Sequence, residues 1–166
     1  MSQELTQEYL KSILHYDPDT GVFTWLKKLS NNTKVMGVAG TIAQDGYVKI
    51  RINSQGYPAH RLAWFYFYGT FPQKQLDHIN LNRSDNAIKN LRIASHSDNQ
   101  RNKKISKSNK SGYKNVSWCA RAKKWKVGLK VNGKSIHFGY FSDINDANIA
   151  ATNARNLMHG EFSNHG

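Results

Sequence analysis

The stretch from Leu76 to Asn99, LDHINLNRSDNAIKNLRIASHSDN, sets a carboxylate, an imidazole and two carboxamides at intervals that suggest chemistry. Asp77 and His78 are adjacent, so on an extended strand they point to opposite sides. Asn90 follows twelve residues after His78, and Asn99 nine after that. Leu91 to Ala94 reads as a short strand, and Ser95-His96-Ser97-Asp98 has the Ser-x-x-acid form of a capping box that starts a helix. Between them lies a polar loop, in which Asp85 and Asn86 are expected to serve turns by bonding their own backbone. The order is strand, long loop, strand, helix. It brings Asp77 and Asn99 to one place, where both offer oxygen to one ion. Two protein oxygens with water filling the rest is a usual way of holding Mg²⁺ beside a phosphate. His78 then takes a proton from an attacking water, which amounts to metal-assisted phosphodiester hydrolysis.

On Asp77, His78, Asn90 and Asn99 the segment resembles the ββα-metal (His-Me finger) motif of the HNH nuclease family, in the variant of phage homing endonucleases whose last His is replaced by Asn. The flanks AHRLAWFYFYG (Ala59 to Gly69) and NLR (Asn90 to Arg92) are typical neighbours of that motif. The resemblance implies that His78 is the general base and that Asp77 and Asn99 hold one Mg²⁺ or Mn²⁺. It also implies that Asn90 braces the loop and helps orient His78. By the same resemblance His60 and Arg61 sit near the site, Arg61 either on the scissile phosphate or in a structural bond.

Composition agrees. The 166-residue chain has a formal net charge of +13 and a pI near 9.9. An excess of cations this large draws polyanions and drives counterion release, so double-stranded DNA is the expected partner and a membrane is not. No apolar run has the length of a membrane span, and Met1 to Tyr16 lacks the layout of a signal peptide, so a cytoplasmic protein is expected. Cys119 is the single cysteine. It has no internal disulfide partner and makes no thiolate zinc cluster, and His15, His60, His78, His96, His137, His159 and His165 show no finger spacing, so zinc is not expected. One catalytic set per chain cuts one strand, which leaves monomer or homodimer open.

Thr6 to Leu14 reads as an amphipathic helix with Tyr9, Leu10, Ile13 and Leu14 on one face. Asp17-Pro18-Asp19-Thr20-Gly21 is a turn by composition, followed by a strand over Phe23 to Leu26. This opening, YDPDTGVFTW, recurs ahead of many phage HNH domains, and packing is its expected role. Val38 to Ile52 reads as a hairpin turning at Asp45-Gly46. Its second arm places Tyr47, Lys49 and Arg51 on one face and Val48, Ile50 and Ile52 on the other, with Lys49 and Arg51 offered to phosphates. Arg61 to Tyr68 is so aromatic that a helix there is expected to be largely buried.

Residues 100–112, QRNKKISKSNKSG, carry Lys103 and Lys104 among many cations and few apolar groups, which marks a basic linker expected to order only on DNA. It separates a first module, 1–99, from a second, 113–166. In the second, Tyr113 to Trp118 reads as a strand. Lys124 to Val131 alternates lysines with apolar residues, Asn132-Gly133 is a hairpin turn, and Lys134 to Tyr140 returns with Ile136, Phe138 and Tyr140 on the apolar side. A helix from Ile144 to about His159 places Ala147, Ala150, Ala151, Ala154, Leu157 and Met158 on one face to cover the sheet. SGYKNVSW, KKWKV, GKSIHFGYF and HGEF in that order resemble the plant ethylene-response-factor type of DNA-binding domain. That resemblance implies DNA contacts from Ser117, Arg121, Lys123, Lys124, Lys126, Lys130 and His137. Lys stands where the plant domains mostly have Arg, which favours phosphate contacts over guanine readout.

The fold class expected is α+β, a ββα-metal nuclease module plus a three-stranded antiparallel sheet backed by one helix. The function expected is a metal-dependent DNA endonuclease of homing type, cutting one strand per catalytic set. The alternative is a non-catalytic, sequence-specific DNA-binding regulator on a degenerate nuclease scaffold.

Overall fold

The computed structural model describes residues 5–31, 33–102, 105–106, 108–131 and 133–164, and the chain divides between Ala94 and Ser95 into two compact units. The first opens with helix α1 (Gln7–Ile13), started by Thr6, whose hydroxyl accepts the Tyr9 N–H at 3.1 Å. Leu10 and Ile13 of α1 are buried, and Leu14 leaves the helix to begin a strand. Strands β1 (Leu14–Tyr16) and β2 (Phe23–Trp25) form a hairpin. Its turn is tied by Asp17, whose carboxylate accepts the Asp19 N–H at 2.9 Å and the Thr20 hydroxyl at 2.8 Å.

Strands β3 (Thr41–Ile42), β4 (Val48–Ile52) and β5 (Gln55–Pro58) make an antiparallel sheet with β4 in the middle. As the alternation predicts, Ile50 and Ile52 are buried while Lys49 and Arg51 are exposed. Gly56 and Pro58 mask β5 as a strand in the sequence, yet an edge strand tolerates both because half of its N–H groups have no ladder partner. Helix α2 (Ala59–Tyr68) follows and ends at Gly69, whose left-handed φ of +80° suits glycine. Contrary to expectation, α2 is only partly buried. Leu62, Ala63 and Phe65 face the core, whereas Phe67 and Tyr68 are 52% and 53% exposed. A single helix packed on one core buries one stripe, however aromatic its other faces are. Strands β6 (Gln75–His78) and β7 (Leu91–Ala94) then pair antiparallel, with Asp77 opposite Arg92 and His78 opposite Leu91.

The second unit begins with helix α3 (His96–Arg101), so this helix and its Asn99 fall outside the unit that holds Asp77 and His78. Its capping box is present: the Ser95 hydroxyl accepts the Asp98 N–H at 3.2 Å, and the Asp98 carboxylate accepts the Ser95 N–H at 3.0 Å. The end of the expected linker is a built turn. Asn109 accepts the N–H groups of Ser111 and Gly112, and the Ser111 hydroxyl donates to the Val116 carbonyl at 2.7 Å. Lys103, Lys104, Asn132 and His165 lie outside the described residues.

Strands β8 (Val116–Cys119), β9 (Lys124–Val131) and β10 (Lys134–Phe141) form an antiparallel sheet in the order β10-β9-β8. β8 starts later than expected because Asn115, at φ +65°, breaks the extended backbone. Helix α4 (Ile144–His159) starts at Asp143, whose carboxylate accepts the Asn145 N–H at 2.7 Å. Its Ala147, Ala151 and Ala154 pack on Val116, Val127 and Leu129. Leu157 lies at the rim of that stripe and is 77% exposed, contrary to the sequence reading. Arg155 is buried instead, donating to the Lys114 carbonyl at 2.7 Å and the Thr152 hydroxyl at 3.0 Å.

Gly21 has φ +74°, and a Cβ there would collide with the backbone of Asn86 and Ala87. Gly21→Ala is therefore expected to cost roughly 2 kcal/mol or more, combining left-handed strain with the clash. Urea unfolding of the two proteins measures it, and equal midpoints would refute this packing.

Candidate active site

His78 ends β6 and is 4% exposed. Burial holds its pKa below the ordinary imidazole value, against the raising influence of the Asn86 hydrogen bond and of Asp77, so the ring is neutral near pH 7. Its Nε2 lies 3.3 Å from the Asn86 side-chain oxygen. The Asn86 amide nitrogen donates to the Ser84 carbonyl at 3.2 Å, which turns that oxygen toward the imidazole. Nε2 is then the N–H donor, and the neutral ring keeps its lone pair on Nδ1.

Asn86 is 2% exposed and was read from sequence as an ordinary turn residue. What holds it is the N-terminal hairpin. The Tyr16 hydroxyl donates to the Asn86 backbone carbonyl at 2.8 Å, the Ile88 N–H donates to the Pro18 carbonyl at 2.9 Å, and Gly21 lies against the Asn86–Ala87 backbone. Burial raises the Tyr16 pKa, so the phenol stays a donor at any working pH. The opening motif thus does more than pack, since it supports the residue that touches His78.

Asn90, at the end of a 3₁₀ turn (Ile88–Asn90), spans the loop. Its side-chain oxygen accepts the Asn80 N–H at 3.0 Å, and its amide nitrogen donates to the Asn80 side-chain oxygen at 3.0 Å and to the Asp85 carbonyl at 2.8 Å. The Asn80 amide donates in turn to the Asp85 carboxylate at 2.6 Å.

Asp77 faces away from His78 along the strand, as alternation requires, and meets its cross-strand partner. Arg92 Nε and Nη2 donate to one Asp77 oxygen at 3.0 and 2.8 Å. Both side chains are largely buried. The sequence reading missed Arg92, although the hairpin register alone would have paired it with Asp77. Beside His78 stand two further rings: His60 at 5.2 Å between centroids and Tyr47 at 5.7 Å. Arg83 lies over Tyr47 at 4.9 Å and donates to the Asp45 carbonyl at 2.8 Å. Burial, then the neighbouring His78 and Arg61, push the His60 pKa down to about 4. His60 Nδ1 is buried without a hydrogen-bond partner among the described residues.

The other candidates lie on several elements of the two units. Asn99 lies on α3 in the second unit, half-buried. Arg61 Nη2 donates to the Pro72 carbonyl at 3.2 Å. Exposed Lys49 pairs with Asp45 at 3.3 Å, and Arg51 Nε donates to the Ser54 carbonyl at 3.2 Å. In the second unit Ser117, Lys124, Lys126, Lys130 and His137 are exposed on the sheet, and Arg121 and Lys123 are exposed in the turn between β8 and β9. Among the described residues no three His, Cys, Asp or Glu side chains gather as a metal-binding group, and no helix is long and apolar enough to cross a membrane.

Replacing Asn90 by Ala is expected to cost about 2 to 4 kcal/mol, because the Asn80 N–H and Asp85 carbonyl lose their shared partner inside the loop. Thermal unfolding measures this, and a loss under 1 kcal/mol would show that water substitutes freely. His60 makes a second prediction. Between pH 6.5 and 4 the unfolded chain binds a proton that the folded chain refuses, so stability falls as pH drops through that window. From this group the slope approaches about 1.4 kcal/mol per pH unit. Unfolding midpoints of wild type and His60→Phe across that window test it, and parallel pH profiles would refute it.

Residues 57–101 match the family model described as HNH endonuclease. Protein 3.8 of Escherichia phage T7 is 31% identical over 105 residues, covering 63% of this chain and 86% of that protein. A solved structure titled "DNA binding and cleavage by the HNH homing endonuclease I-HmuI" aligns over 76% of this chain and 71% of its own, at 21% identity and a TM-score of 0.41, a loose likeness. The chain belongs to the same family as the phage T7 protein, and its residues 57–101 form an HNH endonuclease domain.

Proposed function

We propose that the protein is a metal-dependent DNA endonuclease of homing type, acting in the cytoplasm, in which His78 is the general base. The observation that carries this reading is the state of His78: neutral, buried, held through Nε2 by Asn86, and adjacent in sequence to the carboxylate of Asp77 inside the matched domain. As a neutral base, the ring takes a proton from water as that water attacks phosphorus, while the Asn86 oxygen stabilises the imidazolium that forms. Asn90 acts indirectly, keeping the loop that carries Asn86 closed.

Asp77 and Asn99 are the proposed metal ligands, a pairing that rests on their spacing in sequence. One carboxylate and one carboxamide, with no thiolate, are hard oxygen donors that suit Mg²⁺ or Mn²⁺ rather than zinc. Bound there, the ion would neutralise charge on the scissile phosphate and on the departing 3′ oxygen, consistent with 5′-phosphate and 3′-hydroxyl ends. The second unit grips duplex DNA through the lysines of its sheet. β8 pairs only with the first half of β9, so the rest of β9 and β10 form a two-stranded ribbon, an element of a width that a major groove admits.

One observation favours the alternative of a non-catalytic DNA-binding regulator: Arg92 already engages Asp77, so a metal must compete for that carboxylate. Cleavage of supercoiled plasmid carrying the protein's own flanking genomic sequence, with Mg²⁺ or with chelator, separates the two. Wild type is expected to yield open circles only with metal, and His78→Ala to cut roughly 100- to 10,000-fold more slowly. Linear product would indicate two chains acting together. Duplex binding without any metal-dependent cutting would favour the regulator.

A further inference from the structure

Tyr140 sits on the opposite face of the sheet from the one its place in the alternation predicts. The β9–β10 ladder pairs His137 with Gly128 and then Gly139 with Val127, so Phe138 is an inserted residue and the alternation reverses beyond it. A bulge of this kind re-aims the side chains that follow. Gly139 permits it: its φ is +127°, and a Cβ there would press on the Phe141 ring at 3.3 Å. Phe138 and Phe141 pack on the core with α4, and Tyr140 turns to the open side, 46% exposed.

There it completes a row across three strands, Ser117 beside Lys126 beside Tyr140. Its ring lies 4.5 Å from that of His137, centroid to centroid. Gly128, opposite His137, adds no side chain beneath the pair. The remaining residues of this face are Cys119, Lys124, Lys130 and Ser135, and the chain carries no acidic residue between Asp98 and Asp143. A cationic face with an exposed aromatic pair at its centre complements a polyanion whose interior surfaces are apolar: lysines for phosphates, rings for sugar and base edges.

We propose that Tyr140, paired with His137, is a direct contact of this sheet with duplex DNA, supplying the part of the affinity that does not depend on salt. The assignment rests on the reading of the second unit as a duplex-binding sheet. Lysines act by releasing counterions, so their contribution weakens as salt rises, whereas a ring contact is indifferent to it. The test is anisotropy of a mixed-sequence oligonucleotide duplex titrated with the full chain in chelator, over a series of salt concentrations, for wild type, Tyr140→Ala, Tyr140→Phe and Lys126→Ala. Tyr140→Ala is expected to bind roughly tenfold more weakly with an unchanged salt slope, Tyr140→Phe to stay near wild type, and Lys126→Ala to bind more weakly with a slope reduced by about 0.9. Circular dichroism checks the fold, and Tyr140→Leu, which keeps apolar bulk without the ring, replaces the Ala variant if that one melts. If Tyr140→Ala binds as wild type while Lys126→Ala weakens and flattens the salt dependence, the Tyr140 contact is refuted and the duplex-binding face survives. If both bind as wild type, the face itself is wrong and the contact falls with it.

Discussion

The carboxamide of Asn90 holds a loop whose geometry the candidate site depends on. One side chain joins Asn80 at the start of the loop to Asp85 near its middle, and the backbone adds a bond from the Ile79 N–H to the Asn90 carbonyl at 2.9 Å. A loop between two short paired strands would otherwise have many conformations, and closing it costs chain entropy. Three side-chain bonds to one residue offset part of that cost and leave a single conformation, in which Asn86 points into the unit rather than into water. Asparagine suits the position because it offers both a donor and an acceptor, where a carboxylate would offer only acceptors.

From this constraint follows the state of His78. A buried imidazole with no fixed partner has a choice of tautomer and rotamer. Here Asn86 removes the choice, since its own amide is committed to Ser84. The N-terminal hairpin presses on the same point through Tyr16, Pro18 and Gly21. Elements far apart in sequence therefore converge on one side chain, and burial by that convergence is also what keeps the ring neutral. Asp77 shows the complementary logic. On the other face of the same strand it is claimed by Arg92, so the two adjacent residues have separate environments, one a buried neutral imidazole and the other a carboxylate held by a guanidinium.

The second unit solves a different problem. A three-stranded sheet needs cover on one side, and the small alanines of α4 let the helix lie close over Val116, Val127 and Leu129. The other side is free to carry charge, and strict alternation along β9 places three lysines there. β10 cannot do the same along its whole length, because two aromatic rings at its end, Phe138 and Phe141, both seek the core. The bulge reconciles the two demands, and the exposure of Tyr140 is its consequence.

Period, turn chemistry and motif spacing alone determined the α+β class, the turn at Asp17 to Gly21 with the strand that follows it, the hairpin at Asp45-Gly46, the capping box at Ser95, the apolar and cationic faces of β9, and the prominence of His78. These features depend on neighbours within a few residues, so local rules reach them. The partnership of His78 with Asn86, the ion pair of Asp77 with Arg92, the support from Tyr16 and Gly21, the exposure of Phe67, Tyr68 and Leu157, and the reversal at Phe138 were decided by tertiary structure. Each depends on which surface an element turns toward segments distant in the chain. A residue's spacing records its own element's period, but not which neighbour that element meets.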